Sequence, residues 1–363
     1  MIVVAKVGSS SVTDARGEIS HAAVDKFCGE VAGLRGRQHR VVIVTSGAIA
    51  AGLPALGISG ARPTDVKTLQ AVSAVGQSRL MRVYDDILAR HGLIGGQVLL
   101  APLDFVHRSQ YLHARGTLRR LLDLGVVPVV NENDAVADDE IRFGDNDRLA
   151  ALVAHLVSAD VLVLLTDTPG VLTADPRFDA DASLNEEIVE IDHELEHVAG
   201  NAGSVRGSGG MASKLAAAKI AAWSGVRVVI AAADRPGVLA GAVGGEPGVG
   251  TVVRPRETRL SARKLWIAFA VEASGTVVVD DGARRALVER RTSLLPAGVI
   301  DVQGDFGAED AVEVTDPTGK VFAKGLVRYA APRLKEVAGC RTADLAEGLP
   351  HEVVHRDDLV MLP

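Results

Sequence analysis

The sequence predicts an α/β protein with an open, mainly parallel sheet sandwiched by helices, followed by a small β-rich domain. Short aliphatic runs alternate with longer helical patterns over the first two-thirds of the chain, which is the order that a parallel sheet requires. From about residue 275 the apolar segments become shorter and are bounded by turns, as in β-rich domains. A length of 363 residues also suits two domains.

The predicted strands of the first domain are apolar on both faces, as strands buried in a parallel sheet are. They are Ile2–Val7, Val41–Thr45, Gly96–Leu100, Val126–Val130, Val161–Thr166 and Val226–Ala231. Between them, apolar residues recur at helical spacing. The predicted helices are His21–Arg37, Asp65–His91, Ser109–Leu124, Arg148–Ala159 and Met211–Ser224. Ligands of such sheets bind beyond the carboxyl ends of strands, so functional residues are expected in the loops that follow.

The pattern changes near residue 255. Residues 255–264 are rich in charge and in Pro, Thr and Ser, and Trp266–Ala270 is predicted to be a strand that closes the first domain or leads to the second. The later predicted elements are strands at Thr276–Asp280, Val299–Gln303, Val312–Thr315 and Val321–Val327 and a helix at Gly282–Arg290. Asp316-Pro317-Thr318-Gly319 is a hairpin turn signal. We expect a first domain at 1–257, a linker at 258–273 and a second domain at 274–363.

The composition excludes several classes of protein. With 47% hydrophobic and 23% charged residues, the chain is not intrinsically disordered. A net charge of −7 and only 3% aromatic residues argue against binding to RNA or to an anionic membrane. The two cysteines, Cys28 and Cys340, make neither a disulfide framework nor a zinc site. The sequence has no signal-peptide pattern and no apolar run of about 20 residues, so we expect a cytoplasmic protein.

Two lysines occur beside glycine-rich loops. Lys6 lies in an apolar strand, where burial is costly unless an anion meets the charge, and Gly8-Ser9-Ser10-Ser11 follows it. The stretch Gly207-Ser208-Gly209-Gly210 precedes a predicted helix with Lys214 in its first turn. Backbone N–H groups in such loops bind phosphate. The structural alternatives are a lysine that reaches water from an edge strand and a flexible glycine hinge.

Polar residues follow three further predicted strands. Ser46 and Gly47 follow the second strand, and Thr166 and Asp167 end another. The stretch Asn131-Glu132-Asn133-Asp134 offers amides and carboxylates, which suit the charged groups of an amino acid. Each loop taken singly has a structural alternative, because serine caps helices and Asn, Asp and Gly are common in turns.

The segment Gly144-Asp145-Asn146-Asp147 opens a predicted helix with more Asp and Asn than capping needs. Asp145 and Asp147 either hold a metal or orient cationic groups. Two carboxylates suit Mg²⁺ whose coordination is completed by phosphates and water. Lysines from two loops, with acidic residues between them in sequence, favour in-line phosphoryl transfer.

Eight motifs run in order along the first domain. They are KVGSS at 6–10, TSGAIAAG at 45–52, AVGQSRLM at 74–81, NENDAV at 131–136, GDND at 144–147, LLTD at 164–167, TADPR at 173–177 and GSGGMASK at 207–214. This set resembles the glutamate 5-kinase family of the amino-acid kinase superfamily. The C-terminal segments VDDGARRALVERRTSLLPAGV at 279–299 and VVHRDDLV at 353–360 resemble the PUA domain that follows many such kinases.

The resemblance implies that ATP phosphorylates the side-chain carboxylate of L-glutamate, giving L-glutamyl 5-phosphate and ADP in the first step of proline biosynthesis. It makes Lys6 and Lys214 the residues that stabilise the transferring phosphoryl group and Asp147 the residue that orients them. The implied glutamate-binding residues are Ser46, Gly47, Asn131, Asp134 and Asn146. The implied nucleotide-binding residues are Lys6, Thr166, Asp167, Ser208, Gly209, Gly210, Met211, Ala212, Ser213 and Lys214. Mg²⁺ is expected to be held mainly by phosphates, with Asp145 as the candidate protein ligand.

The resemblance further implies a homo-oligomer and feedback inhibition by proline. Some positions depart from the commoner family pattern: Leu172 stands where a tyrosine is usual, Ser208 where a threonine is common and Arg142 where a lysine is also found. Within the same fold, kinases of N-acetylglutamate, aspartate, uridylate and carbamate are alternatives. From another class, an RNA-binding protein is the alternative, since PUA domains elsewhere bind RNA. Residues 274–363 carry eleven Lys and Arg against fifteen Asp and Glu, which argues against RNA.

Overall fold

The computed structural model describes residues 1–14, 16–59, 63–101, 103–136, 146–174, 179, 181–191, 195, 210–257, 259–269, 271–346 and 348–362. The chain divides into two compact units, Met1–Arg259 and Leu260–Pro363. For the domains themselves we propose the bounds predicted from the sequence, 1–257 and 274–363 with a linker at 258–273.

The first unit is built on an eight-stranded sheet. Its strands are β1 (Ile2–Lys6), β2 (Arg40–Val44), β3 (Gly95–Leu100), β4 (Val127–Glu132), β5 (Val161–Thr166), β6 (Glu187–Ile188), β7 (Arg227–Ala232) and β8 (Thr251–Val253). They lie in the order β3-β4-β2-β1-β5-β7-β8-β6. Only the β7–β8 pair of this sheet is antiparallel among the described strands. The predicted open, mainly parallel sheet is confirmed.

Helices cover both faces of this sheet. They are α1 (Ser9–Val12), α2 (His21–Gly36), α3 (Ala48–Ala55), α4 (Val66–Arg90), α5 (Leu103–Val106), α6 (Arg108–Asp123), α7 (Asn146–Val157), α8 (Met211–Trp223) and α9 (Val238–Gly244). Apolar side chains of α2, α4 and α9 form one core with the strands, while α6, α7 and α8 pack against the sheet and against one another. Every strand and helix predicted for this unit is confirmed to within two residues at each end.

Helices α3 and α4 cross at very short range. A Cβ atom at Gly76 of α4 would lie 1.7 Å from the carbonyl oxygen of Ala48 in α3. Only glycine permits so close an approach between two backbones. The start of α4 is fixed as well, because the Asp65 carboxylate accepts a hydrogen bond of 2.8 Å from the Thr68 backbone N–H. The face that α4 turns toward the sheet edge is therefore set by backbone contact.

The second unit contains a five-stranded sheet. Its strands are β9 (Gly275–Val279), β10 (Val299–Gly304), β11 (Ala311–Thr315), β12 (Val321–Val327) and β13 (Val354–Met361), in the order β10-β9-β11-β12-β13. Its helices are α10 (Ala262–Phe269), α11 (Asp281–Arg290) and α12 (Ala331–Val337). Four of these strands and α11 confirm the predicted β-rich domain, whereas the sequence analysis assigned no structure to α12 or β13.

The predicted strand at Trp266–Ala270 is wrong, because Trp266 lies inside α10. The run is too short for its apolar pattern to distinguish a strand from a buried helix. The helix begins after Ser261, whose hydroxyl accepts from the Lys264 backbone N–H, and it buries Leu265 and Ile267. It packs against β13 and β12.

Within the described residues, no helix is both long enough and apolar enough to span a bilayer.

Candidate active site

The register of the sheet gathers the predicted site residues at one edge. Lys6, the last residue of β1, is level with Val44 of β2 on one side and Leu164 of β5 on the other. Val44 is in turn level with Val130 of β4. Because these strands are parallel, their carboxyl ends meet, and the residues that follow them converge on the same edge.

Three charged side chains meet beside β1 and are called here the lysine–aspartate triad: Lys6, Asp147 and Lys214. The Lys6 Nζ atom lies 2.6 Å from Asp147 Oδ1, and the Lys214 Nζ atom lies 3.1 Å from Asp147 Oδ2. Asp147 comes from the first turn of α7, and Lys214 from the first turn of α8. All three are buried, and the Asp147 side chain is only 1% exposed. Two lysines far apart in sequence are thus held at one carboxylate.

The ionisation of Asp147 follows from its surroundings. Burial on its own favours the neutral acid and would raise the pKa. The charges of Lys6 and Lys214 outweigh burial, so the pKa of the Asp147 carboxyl lies below its ordinary value. The carboxylate therefore stays charged at neutral pH. In that state it fixes both ammonium groups without consuming or releasing a proton.

A second group of polar side chains, called here the polar cluster, lies at the same edge. It consists of Ser46, Asn131, Asp134 and Asn146 together with Ser73 and Gln77 of α4. Asn146 Nδ2 donates to Ser46 Oγ at 2.8 Å, and Asn131 Nδ2 donates to Gln77 Oε1 at 2.8 Å. Ser73 Oγ donates to Asp134 Oδ2 at 2.7 Å. All six side chains are buried.

The polar cluster has hydrogen-bonding capacity that the described residues do not use. In the described part of the chain, three of its buried atoms have no hydrogen-bond partner: Gln77 Nε2, Asn131 Oδ1 and Asn146 Oδ1. Buried polar atoms are normally paired, so unpaired atoms in one place indicate a bound polar ligand or ordered water. One donor and two acceptors of this kind suit a small zwitterionic molecule.

The loop before α3, which carries Ser46, is held by a glycine conformation and by a contact with α4. Gly47 caps α3 with φ of +110°, a left-handed conformation that favours glycine. Thr45 is held by a 2.8 Å hydrogen bond to the hydroxyl of Tyr84 in α4. Burial raises the pKa of Tyr84, so this hydroxyl stays protonated.

The polar cluster and the triad adjoin at the start of α7. Asn146 and Asp147 are consecutive there, and the first belongs to the polar cluster and the second to the triad.

The predicted nucleotide-binding residues are placed in part. Thr166 ends β5, and its hydroxyl lies 3.1 Å from a carboxylate oxygen of Asp167. Both residues border an open cleft of about 350 Å³ that Ser10 and Ser11 also line. This volume falls within the range of small-molecule sites.

The remaining predicted nucleotide residues lie at α8. Gly210 caps the helix, Met211 to Lys214 form its first turn, and the Ser213 hydroxyl lies 3.5 Å from Asp147 Oδ2. Ser208, Gly209 and the candidate metal ligand Asp145 lie outside the described residues. Leu172, at the position where the family usually has tyrosine, forms a β-bridge with Leu184.

Sequence reasoning gave no role to Ser73 or Gln77. The motif AVGQSRLM contains Gln77 but lies within a helix, whereas the predicted site residues lie in loops that follow strands or precede helices. A signal was present, since both are polar residues on the side of α4 that also buries Leu69, Val72 and Leu80. Polar residues four positions apart on a buried helical face call for partners.

Comparison with known proteins identifies the family. The sequence model of the amino acid kinase family matches residues 1–232, and that of the PUA domain matches residues 275–349. A glutamate 5-kinase from Myxococcus xanthus is 46% identical, over 99% of this chain and 96% of that protein. A glutamate 5-kinase from Trichlorobacter lovleyi is 43% identical, over 99% of this chain and 96% of that protein.

A solved structure agrees with this family at the level of the fold. The carbamate kinase from Giardia lamblia bound to AMP-PNP has a TM-score of 0.50 and 15% identity, over 70% of this chain and 98% of that one. At that identity the likeness concerns the fold alone. With a family model over most of the chain and relatives above 40% identity along its length, the chain belongs to the glutamate 5-kinase family, with an amino acid kinase domain followed by a PUA domain.

Proposed function

We propose that this chain transfers the γ-phosphoryl group of ATP to the side-chain carboxylate of L-glutamate, giving L-glutamyl 5-phosphate and ADP, the first step of proline biosynthesis. The observation that carries the proposal is that two buried lysines contact Asp147, next to the polar cluster, in which three buried atoms of the described residues have no hydrogen-bond partner. Membership in the glutamate 5-kinase family supports both the reaction and the use of ATP.

The lysine–aspartate triad suits the phosphoryl transfer step. A side-chain carboxylate oxygen of glutamate forms a bond to the γ-phosphorus while the bond from that phosphorus to the β,γ-bridging oxygen breaks, and ADP leaves. No proton is transferred, because the attacking carboxylate is already ionised. Catalysis then consists of positioning and charge stabilisation. We assign Lys6 and Lys214 to the charge on the transferring group and Asp147 to holding both ammonium groups in place.

The polar cluster suits the amino-acid end of glutamate. The carboxylate of Asp134 and the free Oδ1 of Asn131 accept hydrogen bonds, as an α-ammonium group requires. We assign Ser46, Gly47 and Asn146 to the same substrate, since Asn146 joins the cluster to the triad residue Asp147. These assignments rest on the grouping of the residues at one sheet edge.

We assign the nucleotide to the residues at the end of β5 and at the start of α8, together with Lys6. Thr166 and Asp167 at the end of β5 and the first turn of α8 around Lys214 would contact ATP, together with Ser208 and Gly209. Mg²⁺ would be held mainly by the phosphates, with Asp145 as the candidate protein ligand. The ion supplies further neutralisation of phosphate charge when bound. The cleft beside β5 offers the ammonium group of Lys26 and several hydroxyls and carboxylates as hydrogen-bonding partners for the nucleotide.

On the basis of the resemblance and the composition, we further propose a homo-oligomer, feedback inhibition by proline, a cytoplasmic location and a PUA domain that does not bind RNA. For the last of these, the excess of acidic over basic residues after residue 274 is the supporting observation.

The test is ADP release from MgATP with L-glutamate, N-acetyl-L-glutamate, L-aspartate, carbamate and UMP offered separately. Hydroxylamine is added to trap an acyl phosphate as its hydroxamate. Turnover with glutamate, with formation of the hydroxamate, is the expected result. Turnover with a different acceptor alone would reassign the polar cluster to another ligand. Absence of turnover with all five acceptors would overturn the proposal, and salt-dependent RNA binding would then test the other class of function.

A further inference from the structure

Helix α4 faces the polar cluster with two side chains one helical turn apart. Ser73 is 3% exposed and Gln77 is 8% exposed. Each contacts one residue of the segment at the end of β4. The Ser73 hydroxyl donates to Asp134 Oδ2 at 2.7 Å, and Gln77 Oε1 accepts from Asn131 Nδ2 at 2.8 Å. One helix thus holds both of the residues proposed to accept hydrogen bonds from glutamate.

The Gln77 contact determines which end of the Asn131 amide is left for a ligand. Because Asn131 Nδ2 is engaged by Gln77, the Oδ1 atom remains, buried and without a partner in the described part of the chain. Asn131 as a whole is 2% exposed. A buried acceptor without a partner is rare in native proteins, so a ligand donor is expected there.

The Ser73 contact acts in the same way on the carboxylate. A hydroxyl that donates to Oδ2 of Asp134 fixes the rotation of that carboxylate. Between the two residues, at Gly76, the backbone of α4 lies directly against that of α3. The positions of Ser73 and Gln77, and through them of both acceptors, therefore depend on this helix contact.

We infer that Ser73 and Gln77 are positioning residues that make the site selective for an amino acid with a free α-ammonium group. Through them, Asp134 and Asn131 each present a hydrogen-bond acceptor to that end of the substrate. An ammonium group satisfies both acceptors, whereas an N-acylated amine has a single N–H and a substrate without nitrogen has none. The inference rests on the proposed function.

The variants Ser73→Ala and Gln77→Met test it in the full-length chain. Both substitutions keep a good helix former of similar size. The control is Ser78→Ala, because Ser78 is an exposed serine of the same helix whose hydroxyl donates to the Val75 carbonyl. We expect the KM for glutamate to rise about tenfold in each test variant, since each loses one buried hydrogen bond at the site. The KM for ATP and the kcat are expected to stay within about threefold of wild type.

Glutarate, which is glutamate without the amino group, separates positioning from general damage. As a competitive inhibitor against glutamate, it does not use the ammonium acceptors. Its inhibition constant is expected to change by less than about twofold in Ser73→Ala and Gln77→Met. A merely structural role for the two residues would weaken glutamate and glutarate together.

Gln77→Glu provides the conservative variant. A glutamate side chain at position 77 keeps the acceptor that Asn131 Nδ2 uses. We therefore expect the KM for the substrate glutamate to be close to wild type in Gln77→Glu, unlike in Gln77→Met. If Gln77→Met does not fold, Ser73→Ala and Gln77→Glu carry the test, with melting temperatures measured for each.

The possible failures are distinguishable. A wild-type chain without turnover on glutamate overturns the proposed function. A wild-type chain that is active, with variants whose glutamate KM is unchanged or whose glutarate inhibition weakens in parallel, overturns the positioning role alone.

Discussion

The lysine–aspartate triad and the polar cluster lie side by side, but their buried polar atoms differ in whether they have partners within the protein. In the triad, each ammonium group has a carboxylate oxygen within 3.1 Å before any ligand binds. In the polar cluster, three buried amide atoms have no partner among the described residues. Charge accounts for the difference. Burying an ion without a partner costs far more free energy than burying an amide without one. The charged groups are therefore paired within the protein, whereas neutral amide atoms can remain unpaired until a ligand binds.

This contrast assigns a separate task to each group. Internally paired lysines are already oriented when the phosphoryl group arrives, so little reorganisation is needed during the reaction. Unpaired amide atoms instead discriminate between ligands, because only a ligand with the matching donors and acceptors satisfies them. Consecutive residues, Asn146 and Asp147, join the two groups at the first turn of α7.

The largest expected effect is that of Asp147→Asn. Removing the carboxylate leaves Lys6 and Lys214 buried and facing each other, which should lower the free energy of unfolding by about 3–5 kcal/mol. Because the orientation of both lysines is lost, we expect kcat to fall by at least about 100-fold. Urea unfolding at pH 7.5 and steady-state kinetics measure the two effects.

Asp123→Asn is the matched control for Asp147→Asn. Asp123 forms a 3.2 Å ion pair with Arg40, but both side chains are about half exposed. Its removal should change stability by less than about 1 kcal/mol and leave kcat unchanged. Similar small losses in both variants would contradict the account of the triad.

Because the pKa of Asp147 is lowered, its contribution to stability is present above the unfolded pKa and is lost only as pH falls through the lower folded pKa. The difference between wild type and Asp147→Asn should therefore persist at pH 5.

The next effect concerns His155 in α7, a partly buried titratable group that stays neutral. Burial, and after it the charges of Arg115 and Arg259, lower the pKa of His155 from 6.5 to about 4. The unfolded chain then binds a proton that the folded chain does not, so stability should fall as pH drops from 6.5 toward 4. The loss amounts to about 3 kcal/mol at the acid end.

Unfolding in urea at several pH values between 7.5 and 4 measures this dependence. His155→Gln should flatten the decline, and His113→Gln, at an exposed position of α6, is the control. An equally steep acid decline in wild type and His155→Gln would show that other groups cause it.

The smallest expected effect is in the polar cluster. Ser46→Ala removes the oxygen that accepts from Asn146 Nδ2. We expect the KM for glutamate to rise about tenfold, with kcat changing much less. In a double-mutant cycle with Asn146→Ala, the coupling energy should be about 1 kcal/mol, because the pair is in direct contact. Additive effects of the two substitutions would mean that they do not act together on the substrate.

Much of this arrangement could be predicted from the sequence. Aliphatic runs in the sequence predict buried strands. Because parallel strands end at a common edge of the sheet, the loops after Lys6 and Val130 are expected to lie close together although they are far apart in sequence. The residues alone leave open whether Asp147 holds a metal or orients cationic groups, and the resemblance favours the second. One carboxylate contacts both Lys6 and Lys214 because α7 packs against β1 and α8 packs against α7. The periodicity of the sequence does not reveal this packing.

Other features escaped sequence reasoning for identifiable reasons. The partners of Asn131 and Asp134 lie more than fifty residues away on α4, and nothing in a single sequence pairs them. The strand predicted at Trp266–Ala270 is part of α10, since a short apolar run is consistent with either element.

The most direct test of the central claim is the kinetics of Lys214→Ala, with Lys219→Ala on the same helix as control. If the triad acts on the transferring phosphoryl group, kcat falls by about 100- to 1000-fold while the KM for ATP stays within about threefold of wild type. The control should keep the wild-type kcat. A Lys214→Ala variant with a raised KM for ATP and an unchanged kcat would contradict the claim, because the lysine would then contribute only to nucleotide binding.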